Sequence, residues 1–337
     1  MRIVVDAMGS DTRPIPDVDG SVQAARQFGE TIILVGDRTA VERELARHDT
    51  SGLNIEVVHA PQAIDMDDRP SQVSRTKKES SMIIGMNLVR DGQADAFVTV
   101  GNTGAALALA TLTSLHRLPG VKRPALASLL SLKGKTIVLL DLGANADCRP
   151  DWLVQFAIMG SIYSERVVGT ARPRIAVLSN GEEEGKGNEL VKETSALLAQ
   201  SPLNFIGNVE AKEMLSAAAD VIVADGFVGN ICIKSMEAIA ELLFDLVREE
   251  ATSSLRSQVG GLLLRPAIRR IYRQLDPFEI GGAPLLGVNG VVIIGHGRSN
   301  ARAIRNAIRQ ARAAVNARLI DAIRDGMAHY VGQEEQA

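Results

Sequence analysis

The chain predicts an α/β/α sandwich built on a mostly parallel sheet, and three observations carry that prediction. Short, uniformly apolar, β-branched runs alternate with helix-length segments from one end to the other, the pattern of parallel strands covered on both faces. Five of those runs end in small polar residues, a rim suited to a ligand at the carboxyl ends of the strands. No Gly/Ser/Pro linker divides the chain and no repeat of solenoid length occurs, so residues 1–330 are expected to form one catalytic domain, with 331–337 a disordered tail.

In order, the expected strands are Ile3–Val5, Thr31–Val35, Ile55–Val58, Ala96–Val100, Leu126–Leu130, Ile137–Leu140, Ile175–Leu178, Asn204–Ile206, Val221–Val223 and Val291–Ile294. The first ends in Asp6-Ala-Met-Gly9 and the fourth in Gly101-Asn-Thr-Gly104. The strand at 137 ends in Asp141-Leu-Gly-Ala-Asn145, that at 221 in Asp225-Gly-Phe-Val-Gly-Asn230, and the last in Gly295-His-Gly297. One Gly-Asn pair is usually a turn; five such ends together suggest a common rim.

The strand Ile175–Leu178 runs into Asn180-Gly-Glu-Glu-Glu-Gly-Lys-Gly-Asn188 and then a helix. Backbone N–H groups and the positive end of a helix favour an anion there, and Lys186 adds a full charge. The alternative is an exposed acidic loop in which Asn188 merely caps the helix. The spacing is not a Walker loop: three glutamates part Gly181 from Gly185, and no hydroxyl follows Lys186.

Hydrophobic residues make up 46% and charged residues 23% of 337 residues, ordinary for a globular enzyme. Aromatics at 3% and a net charge of −3 argue against a nucleic-acid platform. Cys148 and Cys232 have neither metal-site spacing nor a disulfide framework. Met1 leads straight into the first strand, and no apolar run reaches membrane-spanning length, so a cytoplasmic protein is expected. Asp65, Asp67 and Asp68 read as a solvated turn rather than a metal cluster, so neither metal nor cofactor is expected.

The rim holds Asn102, Asn145, Asn180, Asn188 and Asn230 as neutral donors and acceptors, with Lys186, Lys234, Asp225 and His296 as its charged or titratable members. No GxSxG elbow occurs, and no base lies beside either cysteine. A site rich in amides and poor in nucleophiles suits a reaction in which the substrate itself attacks, and phosphate qualifies. His296 fits a structural role between glycines as well as a catalytic one.

The stretch Ser253–Leu275 differs in kind. Leu262, Leu263, Ile268 and Ile271 interleave with Arg256, Arg265, Arg269, Arg270 and Arg273, and no acidic residue lies between Glu250 and Asp276. Gly260-Gly261 and Pro266 suggest a break, so an amphipathic helical hairpin over 251–275 is expected. It would either dock an acidic protein or a membrane surface or pack its apolar face on the body or a second subunit. In the last helix, Arg302, Arg305, Arg309 and Arg312 lie opposite Ile304, Ile308, Ala311 and Val315, a solvated face over a core face.

These motifs resemble the bacterial acyl-ACP:phosphate acyltransferases of phospholipid synthesis, the PlsX family. The similarity runs from about Arg2 to Asp325. It rests on Asp6-Ala-Met-Gly9, Met66-Asp-Asp-Arg-Pro70, Gly101-Asn-Thr-Gly-Ala105, Leu140-Asp-Leu-Gly-Ala-Asn145 and Leu178 through Asn188, then Gly207-Asn-Val-Glu210, Asp225 through Asn230, and Gly282 through Gly290. Ser10 departs from the family's second glycine. The resemblance implies transfer of a long-chain acyl group from acyl carrier protein to inorganic phosphate, on a fold similar to phosphate acetyltransferases and isocitrate dehydrogenases. It also implies a homodimer held peripherally at the inner face of the cell membrane, supplying a glycerol-3-phosphate acyltransferase. Lys186 and Asn230 match catalytic positions. Asn102, Asn145, Asn180, Gly185, Gly187, Asn188, Asp225, Gly229 and His296 would line the substrate. The arginines and leucines of 256–273 would meet the carrier or lipid. Short-chain transfer from acyl-CoA is one alternative. An NAD-linked oxidoreductase on a related fold is a second, although Met8-Gly9-Ser10-Asp11 stands where a GxGxxG turn would be needed. A membrane-recruited scaffold without turnover is a third.

Overall fold

The computed structural model describes residues 1–132 and 134–334. Its strands are β1 (Arg2–Asp6), β2 (Thr31–Gly36), β3 (Ile55–His59), β4 (Ala96–Thr99), β5 (Ala125–Leu126), β6 (Ser128–Leu132), β7 (Lys135–Leu140), β8 (Ile175–Leu178), β9 (Phe205–Val209), β10 (Val221–Val223), β11 (Ala283–Leu286) and β12 (Val291–Ile294). They form two sheets where one was expected, ordered β3-β2-β1-β4-β12-β11-β5 and β6-β7-β10-β8-β9. All pairings are parallel except those of β11 with β12 and β5, and of β6 with β7.

The expected strand Leu126–Leu130 is where the chain changes sheet. β5 pairs with β11 in the first sheet and β6 with β7 in the second. Between them the Ala127 N–H donates to the Pro284 carbonyl at 3.0 Å. β11 was not among the expected strands. It pairs with β12 only at Ala283 and Pro284, and Pro284 contributes a carbonyl without needing an acceptor for an N–H.

Alternation along the strands sorts the core into layers. Ile3, Val5, Ile32, Leu34, Val98 and Ile293 join the inward faces of β7, β8 and β10 in one apolar cluster that spans both sheets. The helices Ile15–Phe28, Pro150–Tyr163 and Ala301–Asn316 complete it. Val4, Ile33, Phe97 and Val292 face the opposite layer with Met82, Met86 and Leu109. Ile137, Leu139, Ala176 and Ile222 do the same for the second sheet. In the helix Ala301–Asn316, Ile304, Ile308 and Ala311 are buried as expected. Its arginines are not simply solvated: Arg302 pairs with Asp276 and Glu279, and Arg312 with Glu30.

Two expectations need correction. The hairpin is larger than 251–275: it joins Gly226–Thr252 to Leu255–Leu275, each a continuous helix. Gly260-Gly261 does not break the second helix; a Cβ at Gly261 would stand 3.0 Å from Ala251 Cβ, so the glycine serves close helix contact. Pro266 lies inside that helix and costs it one backbone bond without ending it. The last helix runs Leu319–Glu334, so 331–334 are helical rather than tail; 335–337 lie outside the described residues. Among the described residues no helix is long and apolar enough to cross a membrane.

Candidate active site

The carboxyl ends of β4 and β12 in one sheet face those of β7 and β10 in the other across a cavity of about 390 Å³. Leu107, Leu126, Leu142, Ile233 and Ile294 give it apolar walls. Thr103, Ser128, Asn230, Lys234, Glu237 and His296 supply its polar side chains. Asn230, Ile233, Lys234 and Glu237 recur at helical spacing on Gly226–Thr252, so one face of that helix forms one wall.

The second sheet's side of the cavity is set by a buried carboxylate. Asp141 is fully buried at the end of β7. Its Oδ1 accepts from the N–H groups of Leu126 (2.9 Å) and Ala144 (3.2 Å). Its Oδ2 accepts from Asn145 N–H (2.7 Å) and Nδ2 (2.9 Å). Burial pushes its carboxyl above the usual range, against those four donors. Asn145 Nδ2 also donates to Pro124 O at 2.8 Å, while its carbonyl receives the Gly226 N–H at 2.8 Å and so seats the start of the long helix. Gly229 packs so closely on the Asp141 carbonyl that any Cβ would collide with it. A Cβ at Gly143 would lie 2.9 Å from Asn230 Nδ2, so that side chain packs close against the loop after β7 and a glycine is needed there. Asp225 caps the helix by accepting from Val228 N–H at 2.8 Å.

The first sheet's side is tied just as firmly. Asp6, buried at the end of β1, accepts from Thr99 Oγ1 (2.8 Å) and Met8 N–H (3.1 Å). Thr99 Oγ1 in turn accepts from Gly101 N–H at 3.0 Å. Asn102 accepts from Ala105 N–H at 2.9 Å and donates to the carbonyls of Asp65, Met66 and Asp68. Asp65, Asp67 and Asp68 do sit in a solvent-accessible turn, and two of them are also paired with cations: Lys77 reaches both Asp65 and Asp68, and Arg13 reaches Asp65.

The structure therefore brings Asn230 and His296 together with Lys234 in one cavity. It places Asn102 and Asn145 in structural bonds around that cavity. Asn180, Gly185, Lys186 and Asn188 lie exposed on the loop after β8 and are not among the residues lining it. There Gly185 and Gly187 adopt φ of +87° and +95°, the stem of Lys186 lies over Gly181, and Asn188 caps the helix Glu189–Ala199 through Val191 N–H at 3.0 Å. Sheet order puts β8 beside β10, so this loop shares the carboxyl edge from which the long helix starts. Glu237 was missed, although its position seven residues after Asn230 places it two turns further along the same face. Burial pushes the Cys148 thiol up to about 12 and also raises that of Cys232.

The hairpin presents Arg256, Arg265, Arg269 and Arg270 among exposed Leu262 and Leu263; the side chain of Arg273 lies outside the described residues. Phe244 and Tyr272 join its helices edge to face, with ring centroids 4.8 Å apart.

The scaffold is one that phosphotransacetylases use. The phosphotransacetylase of Streptococcus pyogenes superposes with a TM-score of 0.60 at 18% identity, over 93% of this chain and 94% of that one. A branched-chain phosphotransacylase from Enterococcus faecalis gives 0.55 at 17%, over 94% and 99%. In sequence, the family model described as "Fatty acid synthesis protein" matches residues 1–322. The phosphate acyltransferase of Geobacter sulfurreducens is 46% identical over 99% of this chain and 97% of its own length. That of Pelotomaculum thermopropionicum is 45% identical over 97% and 95%. The chain belongs to the phosphate acyltransferase family of acyltransferase enzymes.

Proposed function

We propose that the chain moves a fatty acyl group from the thioester of acyl carrier protein to inorganic phosphate, giving an acyl phosphate for phospholipid synthesis. The observation that carries this reading is the cavity: apolar walls suited to an acyl chain end at Asn230, Lys234 and His296, and neither cysteine lines it. A phosphate oxygen attacks the thioester carbon. Negative charge gathers on the carbonyl oxygen, the carbon–sulfur bond breaks, and the carrier leaves as a thiol. Asn230 donates to the developing oxyanion. Lys186 and the amides of Gly185 and Gly187 hold phosphate, with Asn180 and Asn188 beside them. Attack is direct, without an acyl-enzyme.

The exposed arginines and leucines of the hairpin suit an acidic carrier, and the same face suits an anionic membrane surface. A homodimer would bring two such faces together. Acyl phosphate would then pass to a glycerol-3-phosphate acyltransferase. Transfer from a short-chain acyl-CoA would leave the hairpin without a role.

Purified protein given acyl carrier thioester and phosphate should form acyl phosphate, trapped as a hydroxamate, only when phosphate is present. Turnover confined to short acyl-CoA, or independent of phosphate, would refute the reading.

A further inference from the structure

His296 stands at the end of β12, and its ring lines the cavity opposite the face that carries Asn230. Its Nε2 lies 3.7 Å from Glu237 Oε1, too far for a hydrogen bond but close enough for an ion pair once the ring is charged. The other carboxylate oxygen of Glu237 accepts from Lys234 Nζ at 3.0 Å. The loop is fixed on both sides: Gly295 N–H donates to Thr99 O at 2.8 Å, and Gly297 O accepts from Asp11 N–H at 2.9 Å. The charged groups near the ring are Lys234 and Glu237 on the long helix and Arg298 on its own loop, the last paired with Glu241. The remaining walls, among them Thr103, Leu126 and Gly143, bring no titratable side chain.

We infer that His296, braced by Glu237, carries the proton of the reaction: it takes the proton from a phosphate monoanion as that oxygen attacks, and returns it to sulfur as the carbon–sulfur bond breaks. This rests on the acyl transfer to phosphate proposed above. With Nε2 on the Glu237 side of the ring, Nδ1 is the nitrogen turned away from that carboxylate and is the one assigned to accept the proton. The phosphate O–H proton moves to Nδ1 while the oxygen bonds to the thioester carbon. The carbonyl electrons shift to oxygen and return as the pair leaves on sulfur, which takes the proton from Nδ1. The products are acyl phosphate and the carrier thiol, and the imidazole is restored. Glu237 acts in between, stabilising the transient imidazolium. Burial, with Lys234 and Arg298 nearby, sets the ring's pKa below the usual histidine value despite Glu237, so a neutral base is available at physiological pH.

The test compares wild type, His296→Gln and Glu237→Gln for kcat and for KM of phosphate across pH, with circular dichroism as a check on folding. Phosphate has its second ionisation near neutrality and becomes a dianion that needs no base as pH rises. His296→Gln should therefore lose kcat by about 10²-fold at acidic pH, keep its KM for phosphate, and recover as the pH passes neutrality. Glu237→Gln should lose less, with the same pH trend. A folded His296→Gln enzyme with wild-type kcat, or with the same fold loss at every pH, overturns the inference and leaves the acyl-transfer reading standing. A wild-type protein that makes no acyl phosphate defeats both.

Discussion

Two glycine–asparagine loops, one after β4 and one after β8, look alike on paper and end up as opposites. In the first, Asn102 spends its side chain on one amide and three carbonyls, and the loop becomes a closed structural joint. In the second, Asn188 makes only a helix cap, Asn180 and Lys186 are exposed, and Lys186 has no ion-pair partner among the described residues. The same residue types thus build a wall on one side and leave charge available on the other. The proposed reaction, in which a cleft holds an acyl chain in place and admits a small anion, would need both.

The comparison can be broken most sharply at Lys186. Lys186→Ala should lower kcat by about 10²–10³-fold while leaving the melting temperature unchanged, as expected of an exposed side chain. A substantial drop in stability with intact turnover would reverse the roles assigned to the two loops. Asp141→Ala should cost roughly 3 kcal/mol or more in denaturant unfolding, because several buried N–H groups lose their acceptor. Asn102→Ala should cost about 2 kcal/mol, with specific activity per folded molecule close to normal. Asn188→Ala, which removes a helix cap, should cost about 1 kcal/mol in stability.

The finest comparison is one of slope. Asp17, beneath the β1 end, accepts from Ser10 Oγ, and burial, reinforced by nearby Asp6, pushes its carboxyl up to about 7. Between about pH 4 and about 7 the native chain keeps a proton that the unfolded chain releases, so this group makes stability fall as pH rises. Unfolding midpoints measured across that window should decline less in Asp17→Asn than in wild type. Parallel declines would show that Asp17 keeps its charge in the fold.

The strands were legible because buried parallel strands are uniformly apolar, and the shared rim was legible because five of them end alike. The division into two sheets was not, since the change occurs at Ala127, inside an apolar run that carries no mark of it. The bonds that commit Asn102 run 34 to 37 positions back along the chain, beyond any local pattern. Those that commit Asn145 depend on Pro124 and on a carboxylate whose burial only the fold creates. Asn230 and His296 were named and do meet at the cavity. Glu237 could have been found from helical spacing alone. Gly261 read as a break because the chain does not announce that Ala251 will press against it.

The central claim is that phosphate itself attacks the thioester, with no acyl group resting on the protein. The most direct measurement follows labelled free carrier into acyl carrier in the complete absence of phosphate. Direct attack predicts no exchange until phosphate is added, and then acyl phosphate with matching release of carrier thiol. Exchange without phosphate would require an acylated polypeptide and would contradict the account.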